Sequence, residues 1–107
     1  MKHRDELQNG VRVLSLAGEV DISSAPELRK LILNHVLAGE AVLVDLSAVG
    51  YIDSSGIASL VEGHQAARRI GGSFGLLQPS EPVMGVLRLA RLDRVFALHQ
   101  ALPVVDR

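Results

Sequence analysis

Val42-Leu-Val-Asp-Leu-Ser-Ala-Val-Gly-Tyr-Ile-Asp-Ser-Ser-Gly-Ile-Ala-Ser-Leu60 runs from an apolar strand pattern through a polar turn into a helical pattern without a break. Val42, Leu43 and Val44 form a near-continuous apolar run, the mark of a strand covered on both faces. Asp45-Leu-Ser-Ala-Val-Gly50 reads as a looser segment, and Tyr51-Ile52 returns the chain to the core ahead of Asp53-Ser54-Ser55-Gly56. From Ile57 the apolar spacing becomes helical, with Ile57, Leu60 and Val61 on one face. The polar turn therefore stands at a helix N-terminus.

That position gives its side chains a physical role. The first backbone N–H groups of a helix lack internal partners, and an Asp or Ser oxygen that accepts from them contributes about 1 kcal/mol per cap. Capping alone accounts for Asp53, Ser54 and Ser55; the functional alternative is a hydroxyl that is both exposed and pre-oriented. Gly56 has poor helix propensity, and its missing side chain is expected to let another molecule's surface approach Ser54 and Ser55.

Asp53-Ser54-Ser55-Gly56, preceded by an apolar strand ending in Asp45-Leu46 and followed by an apolar helix, resembles the central motif of STAS-domain proteins, specifically the bacterial anti-sigma-factor antagonists. Gly18-Glu19-Val20-Asp21 is similar to the Gly-Glu-Leu-Asp of that family at the end of an early strand, and Gly71-Gly72 stands before the next strand as in the family. The resemblance covers nearly the whole chain, in order. It implies an α/β fold built on a small mixed sheet, antiparallel at its start and then parallel, with helices mainly on one face.

Composition sets bounds on function. The chain has 107 residues, no Cys, 48% hydrophobic residues and a formal net charge of −1, which reads as one domain spanning residues 1–107. Without Cys there is neither a disulfide scaffold nor thiolate chemistry, in keeping with a reducing cytoplasm. The apolar runs fall far short of the roughly 18 residues of a membrane span, and Met1-Lys-His-Arg-Asp-Glu is too polar to begin a secretory signal, so a cytoplasmic location without membrane insertion is expected. Near-neutral charge gives no field for holding nucleic acid, and 3% aromatic content gives no base-stacking platform, so direct nucleic-acid binding is not expected. The core must be aliphatic, since the aromatics are Tyr51, Phe74 and Phe96.

Taken in order, residues 4–8, Asn9-Gly10 and residues 11–17 read as a hairpin whose polar first arm is an edge strand. Gly18-Glu19-Val20-Asp21 leaves the second strand, and Ser23 or Ser24 caps a helix over about residues 25–38, with Pro26 and Glu27 in its first turn. Leu28, Leu31, Ile32 and Val36 share a face of that helix, which stops before Gly39. A right-handed crossover then makes the 41–46 strand parallel to 11–17. A second helix over about 55–70, a strand at 73–77, a third helix with Val83, Val86, Leu87 and Ala90 on one face, and a last strand at 95–99 complete about four to five strands and three to four helices. No element is assigned over 101–107.

Loops at the carboxyl ends of parallel strands gather at one edge of a sheet, where ligands usually bind. Residues 18–21 and 53–56 both occupy such ends, so Asp21, Asp53 and Ser54 are expected to form one site. Glu19, Asp21, Asp53, Ser54, Ser55 and Gly56 together are the expected partner-binding residues. The four histidines, His3, His35, His64 and His99, have no metal-ligand spacing, and His64 reads as a boundary residue of the second helix. No Gly-x-Ser-x-Gly elbow or P-loop accompanies Ser54, so neither catalysis, a metal nor a cofactor is expected. Small-molecule or nucleotide binding at the Asp21/Ser54 edge likewise lacks a phosphate-cradling motif.

A phosphorylation target needs only an exposed hydroxyl, a surface for the kinase and a consequence when about two negative charges arrive. Resemblance to the antagonists implies that Ser54, the first Ser of the motif, is phosphorylated by a partner anti-sigma factor that is itself a serine kinase. It further implies that a cognate phosphatase reverses this, and that the unmodified form binds the anti-sigma factor and frees the sigma factor. STAS domains also serve as accessory subunits of phospholipid-transport ABC complexes, and there the partner would be the transporter ATPase. Arg88, Arg91 and Arg94 are read as a solvated helix face rather than a basic partner stripe. At Ala90-Arg91-Leu92 the chain departs from the family, many members of which carry Gly before the Leu, so the turn after the third helix is left open.

Overall fold

A computed structural model describes residues 1–102. The tail expected to carry no element over 101–107 lies outside the described residues from 103 onward. Strand β1 (Lys2–Gln8) pairs antiparallel with β2 (Val11–Val20), in register from Lys2↔Ala17 to Gln8↔Val11. Asn9 and Gly10 turn the hairpin with φ of 53° and 79°, the two positive values that a type I′ turn requires. Helix α1 (Ala25–Leu37) leads to β3 (Ala41–Ile52), α2 (Ser54–Ile70) to β4 (Phe74–Leu77), and α3 (Glu81–Leu89) to β5 (Ala97–His99). The five strands lie in the order β1-β2-β3-β4-β5, and every pair after the first is parallel. The expected mixed α/β sheet is present, antiparallel at its start and then parallel, with three helices among the described residues.

All three helices pack on one face. Leu14 and Leu16 of β2, Val42, Val44 and Leu46 of β3 and Leu76 of β4 meet Leu28 and Ile32 of α1, Leu60 of α2, and Val83 and Leu87 of α3 in one cluster. A buried Leu or Ile contributes about 1.5–3 kcal/mol relative to leaving it exposed. Side chains of alternate strand residues point the other way. There Val11, Val13, Leu43 and Leu77 form a second, smaller cluster against which Leu102 packs. The run Val42-Leu43-Val44 is buried on both faces, as its composition implied.

The segments flanking the site differ from the sequence reading. Residues 45–50 do not loosen from the sheet: β3 is continuous to Ile52, and β2 continues through Gly18–Val20 instead of ending at Ala17. Two bulges reconcile the lengths, because β3 advances one extra residue between Ser15↔Asp45 and Ala17↔Ala48 and another between Gly18↔Val49 and Glu19↔Tyr51. The Asp45 carboxylate braces the first by accepting the Ser47 N–H at 2.9 Å, while Leu46 and Val49 stay buried as anchors.

The helix ends also carry corrections. Ser24 stands at the N-cap position of α1 without capping it; its hydroxyl accepts the Asp21 N–H instead, at 3.1 Å. Helices α1 and α2 close on Gly39 and Gly71 in the left-handed region, with φ of 84° and 70°. Helix α3 closes by the same pattern on Arg91, φ 59°, with Leu92 N–H donating to Leu87 O at 2.8 Å and Arg91 N–H to Arg88 O at 3.0 Å. Arg91 and Arg94 therefore lie past the helix and the expected three-arginine face does not form; Ala90, past the last turn, is exposed rather than on the buried stripe. The last strand begins at Ala97, because Val95 is held in a turn by the Leu92 carbonyl. His64 is half-buried with its ring edge-on to Phe96 at 5.6 Å, a boundary residue as read.

At the end of the sheet away from the Ser54 turn, charge ties four segments together. Arg12 donates from Nε and Nη2 to Glu40 Oε2 at 3.1 and 2.9 Å and from Nη1 to Asp5 Oδ1 at 3.2 Å. His35 Nδ1 lies 2.6 Å from Glu40 Oε1, and His35 Nε2 lies 3.6 Å from Asp5 Oδ2. His35 first, and Arg12 after it, hold the Glu40 carboxyl below the usual glutamate range.

Candidate functional site

The parallel register of β2 and β3 ends at Glu19↔Tyr51 and Val20↔Ile52, so the two chains leave the sheet side by side. The Asp53 N–H donates to Val20 O at 3.1 Å, and this bond joins the start of α2 to the end of β2. Asp21 and Asp53, each following a member of the last pair, are thereby brought to one edge, as their positions after parallel strands implied.

Asp53 is the N-cap of α2 and uses both carboxylate oxygens. Oδ1 accepts the N–H groups of Ser55 and Gly56 at 2.9 and 3.0 Å, while Oδ2 accepts the Ile22 N–H at 3.1 Å. The Asp53 side chain therefore holds the edge together. Asp21 braces its own loop: Oδ1 accepts the Ser23 hydroxyl at 2.6 Å and the Ser23 N–H at 3.0 Å, and its carbonyl accepts the N–H groups of Ser24 and Ala25. The Ser23 hydroxyl bond, ahead of the backbone bonds, pulls the Asp21 carboxyl below the usual aspartate range. The loop thus carries a firmly ionised carboxylate in solvent.

Ser54, the first residue of α2, is exposed, whereas Ser55 is half-buried. The Ser55 carbonyl lies 3.3 Å from the hydroxyl of Ser59, the buried polar residue of the core, and that hydroxyl is also 3.1 Å from Ala25 O. Ser59 thus ties the second turn of α2 to the first residue of α1. The spacing did not mark it, because Ser59 lies off the face that carries Ile57, Leu60 and Val61.

Gly56 does not open the turn to another molecule, the reason the sequence suggested for it. It is buried, and a Cβ there would lie 2.7 Å from Ile52 Cγ1 and 2.8 Å from Val20 Cγ1. The glycine lets the first turn of α2 rest directly on the two strand ends. Glu19 is exposed on β2 beside this edge.

Ile22 was not singled out from sequence. Its side chain is 75% exposed in the polar stretch Asp21-Ile22-Ser23-Ser24, where it belongs to no apolar stripe, and that misfit was the available signal. It borders a shallow groove of about 360 Å³ between the starts of α1 and α2, walled by Ala25, Pro26 and Ala58 and bounded by the Arg29–Glu62 ion pair. A larger cleft of about 690 Å³ lies beside β1, lined by Met1, His3, Glu27 and Ser47 among others, and includes none of the site residues. Among the described residues no three His, Asp or Glu side chains are grouped to hold a metal ion, and no helix is long and apolar enough to cross a membrane.

Residues 4–104 match the model of the STAS domain. The chain is 35% identical over 98 residues to the anti-sigma-F factor antagonist RsfB of Mycobacterium tuberculosis, covering 88% of this chain and 77% of that protein. It is 30% identical over 99 residues to the anti-sigma-B factor antagonist of Bacillus subtilis, covering 92% of this chain and 82% of the relative. The crystal structure of an anti-sigma factor antagonist from Mycobacterium paratuberculosis superposes with a TM-score of 0.83 at 30% identity, over 94% of this chain and 86% of that one.

Proposed function

Because the chain belongs to the STAS-domain family, we propose that it acts as an anti-sigma-factor antagonist: its unphosphorylated form binds a serine-kinase anti-sigma factor and so releases a sigma factor. Phosphorylation of Ser54 by that kinase ends the interaction, and a cognate phosphatase restores it. The observation that carries this reading is the exposure of Ser54 at the first residue of α2, on an edge that Asp53 locks to the neighbouring loop.

The chemistry of the edge supports a switch. A phosphate on Ser54 brings about two negative charges beside Asp53, and beside an Asp21 carboxyl that is already held ionised. The free protein tolerates the added charge, since the N-terminus of α2 and water both stabilise an anion there. A partner covering the edge must desolvate it, and burying an unpaired charge is costly. Ser55, half-buried and one residue deeper in the turn, offers a kinase less access.

The test is to incubate the protein with ATP and each candidate serine-kinase anti-sigma factor, map the phosphate by mass spectrometry, and compare Ser54→Ala with Ser54→Asp for partner affinity and thermal midpoint. Phosphate on Ser54, weak binding by Ser54→Asp and matching midpoints are expected. Phosphate on Ser55, or a folded Ser54→Asp that binds as tightly as Ser54→Ala, overturns the switch. Recovery of only ABC-transporter subunits with the wild-type protein overturns the antagonist role.

A further inference from the structure

We propose that Ile22 is the apolar anchor of the partner contact, received by a hydrophobic pocket with a basic rim on the serine-kinase anti-sigma factor. The inference rests on the reading above, that such a kinase docks over Ser54. A single exposed isoleucine is ordinary on a protein surface. What distinguishes this one is how firmly it is held. Its N–H is bonded to Asp53 Oδ2 at 3.1 Å, and the Asp21 carboxylate and carbonyl hold Ser23, Ser24 and Ala25, the residues that follow it. Its β-branched side chain has little χ1 freedom. A rigidly presented side chain loses little entropy when a partner covers it, which favours affinity.

The surroundings specify the partner's chemistry. The apolar area continues from Ile22 into the groove walled by Ala25, Pro26 and Ala58, so a pocket that takes the side chain also gains contact beyond it. Glu62 at the far end of the groove is balanced by Arg29, so the net negative charge near Ile22 is that of Glu19 and Asp21, which precede it in the chain. Lys or Arg side chains around the receiving pocket complement this charge, and the apolar centre of such a contact excludes water from its rim.

Asp53 links the anchor to the phosphosite. The same carboxylate that holds the Ile22 N–H caps the helix that begins at Ser54, so the two are fixed in one frame. Seating Ile22 in its pocket therefore places Ser54 relative to the nucleotide of the kinase, a positioning effect. Loss of the anchor raises KM for phosphorylation of Ser54 more than it lowers kcat.

The experiment compares wild type, Ile22→Ala, Ile22→Asp and Ser54→Asp against each purified serine-kinase anti-sigma factor of the same genome, loaded with a non-hydrolysable ATP analogue. Affinity, thermal midpoint and oligomeric state are measured. Both Ile22 variants are expected to keep the midpoint and to bind about tenfold or more weakly, with Ile22→Asp the weaker. If they bind like wild type while Ser54→Asp is impaired, the anchor is wrong and the antagonist reading stands. A dimer that Ile22→Asp splits without changing kinase affinity assigns the groove to a second copy of the chain and overturns the proposal. Wild type that binds none of these kinases takes down both readings.

Discussion

The backbone N–H of Ile22 donates to Asp53 Oδ2 at 3.1 Å, joining the loop after β2 to the cap of α2. One carboxylate thereby satisfies three backbone donors drawn from two segments. Asp53→Ala is expected to lose about 1–2 kcal/mol in denaturant unfolding through the lost cap alone. Asp53→Asn is the finer probe: its carbonyl oxygen can still cap α2, but the amide nitrogen facing Ile22 cannot accept the hydrogen bond from the Ile22 N–H. It should keep most of the stability, while hydrogen exchange of the Ile22 amide speeds up.

Gly56→Ala sets two effects against each other. Helix propensity alone favours alanine by about 1 kcal/mol. The added Cβ would meet Ile52 and Val20, both buried and both β-branched, at 2.7 and 2.8 Å. Overpacking of that kind costs about 1–3 kcal/mol, so a net loss in unfolding free energy is expected. The double variant with Val20→Ala, which removes one of the clashing methyls, should lose less than the sum of the two single changes.

Arg91 occupies a left-handed position at the close of α3 that glycine fills at the close of α1 and α2. A non-glycine residue there is disfavoured by about 1–2 kcal/mol, part of which glycine gives back through its freer unfolded chain. Arg91→Gly should therefore raise stability by about 0.5–1 kcal/mol. Arg91→Ala should leave it nearly unchanged, since it keeps the Cβ. Thermal midpoints of the three proteins decide.

Glu40 titrates below the usual glutamate range because His35 and Arg12 hold its charged form. A carboxyl depressed on folding contributes stability that is present above its unfolded pKa and lost as the pH falls through the folded one. Wild type should thus lose thermal stability with falling pH on the acid side, and Glu40→Gln should show a flatter acid limb. Asp21, lowered by its Ser23 bond, still titrates in that variant, so some acid slope remains.

The order of the elements follows from short-range chemistry that one sequence displays. Asn9-Gly10 dictates a tight hairpin, the helical stripes through Leu28 and Ile32 and through Val83 and Leu87 mark core faces, and Gly39 and Gly71 mark helix ends. Burial of Val42, Leu43 and Val44 was legible because an unbroken apolar run has no solvent face to offer. The edge that gathers Asp21, Asp53 and Ser54 was legible too, because loops after parallel strands share one end of a sheet. What the tertiary structure alone decided depends on partners far along the chain. Residues 45–50 stay in β3 because their pairing with β2 absorbs two extra residues as bulges, which no local pattern encodes. Gly56 leaves room for Val20 and Ile52, and the Ile22 amide is bonded by Asp53. Hydrophobic periodicity records which way a side chain faces along its own element; a hydrogen bond or steric contact between distant segments arises only once the sheet has brought them together.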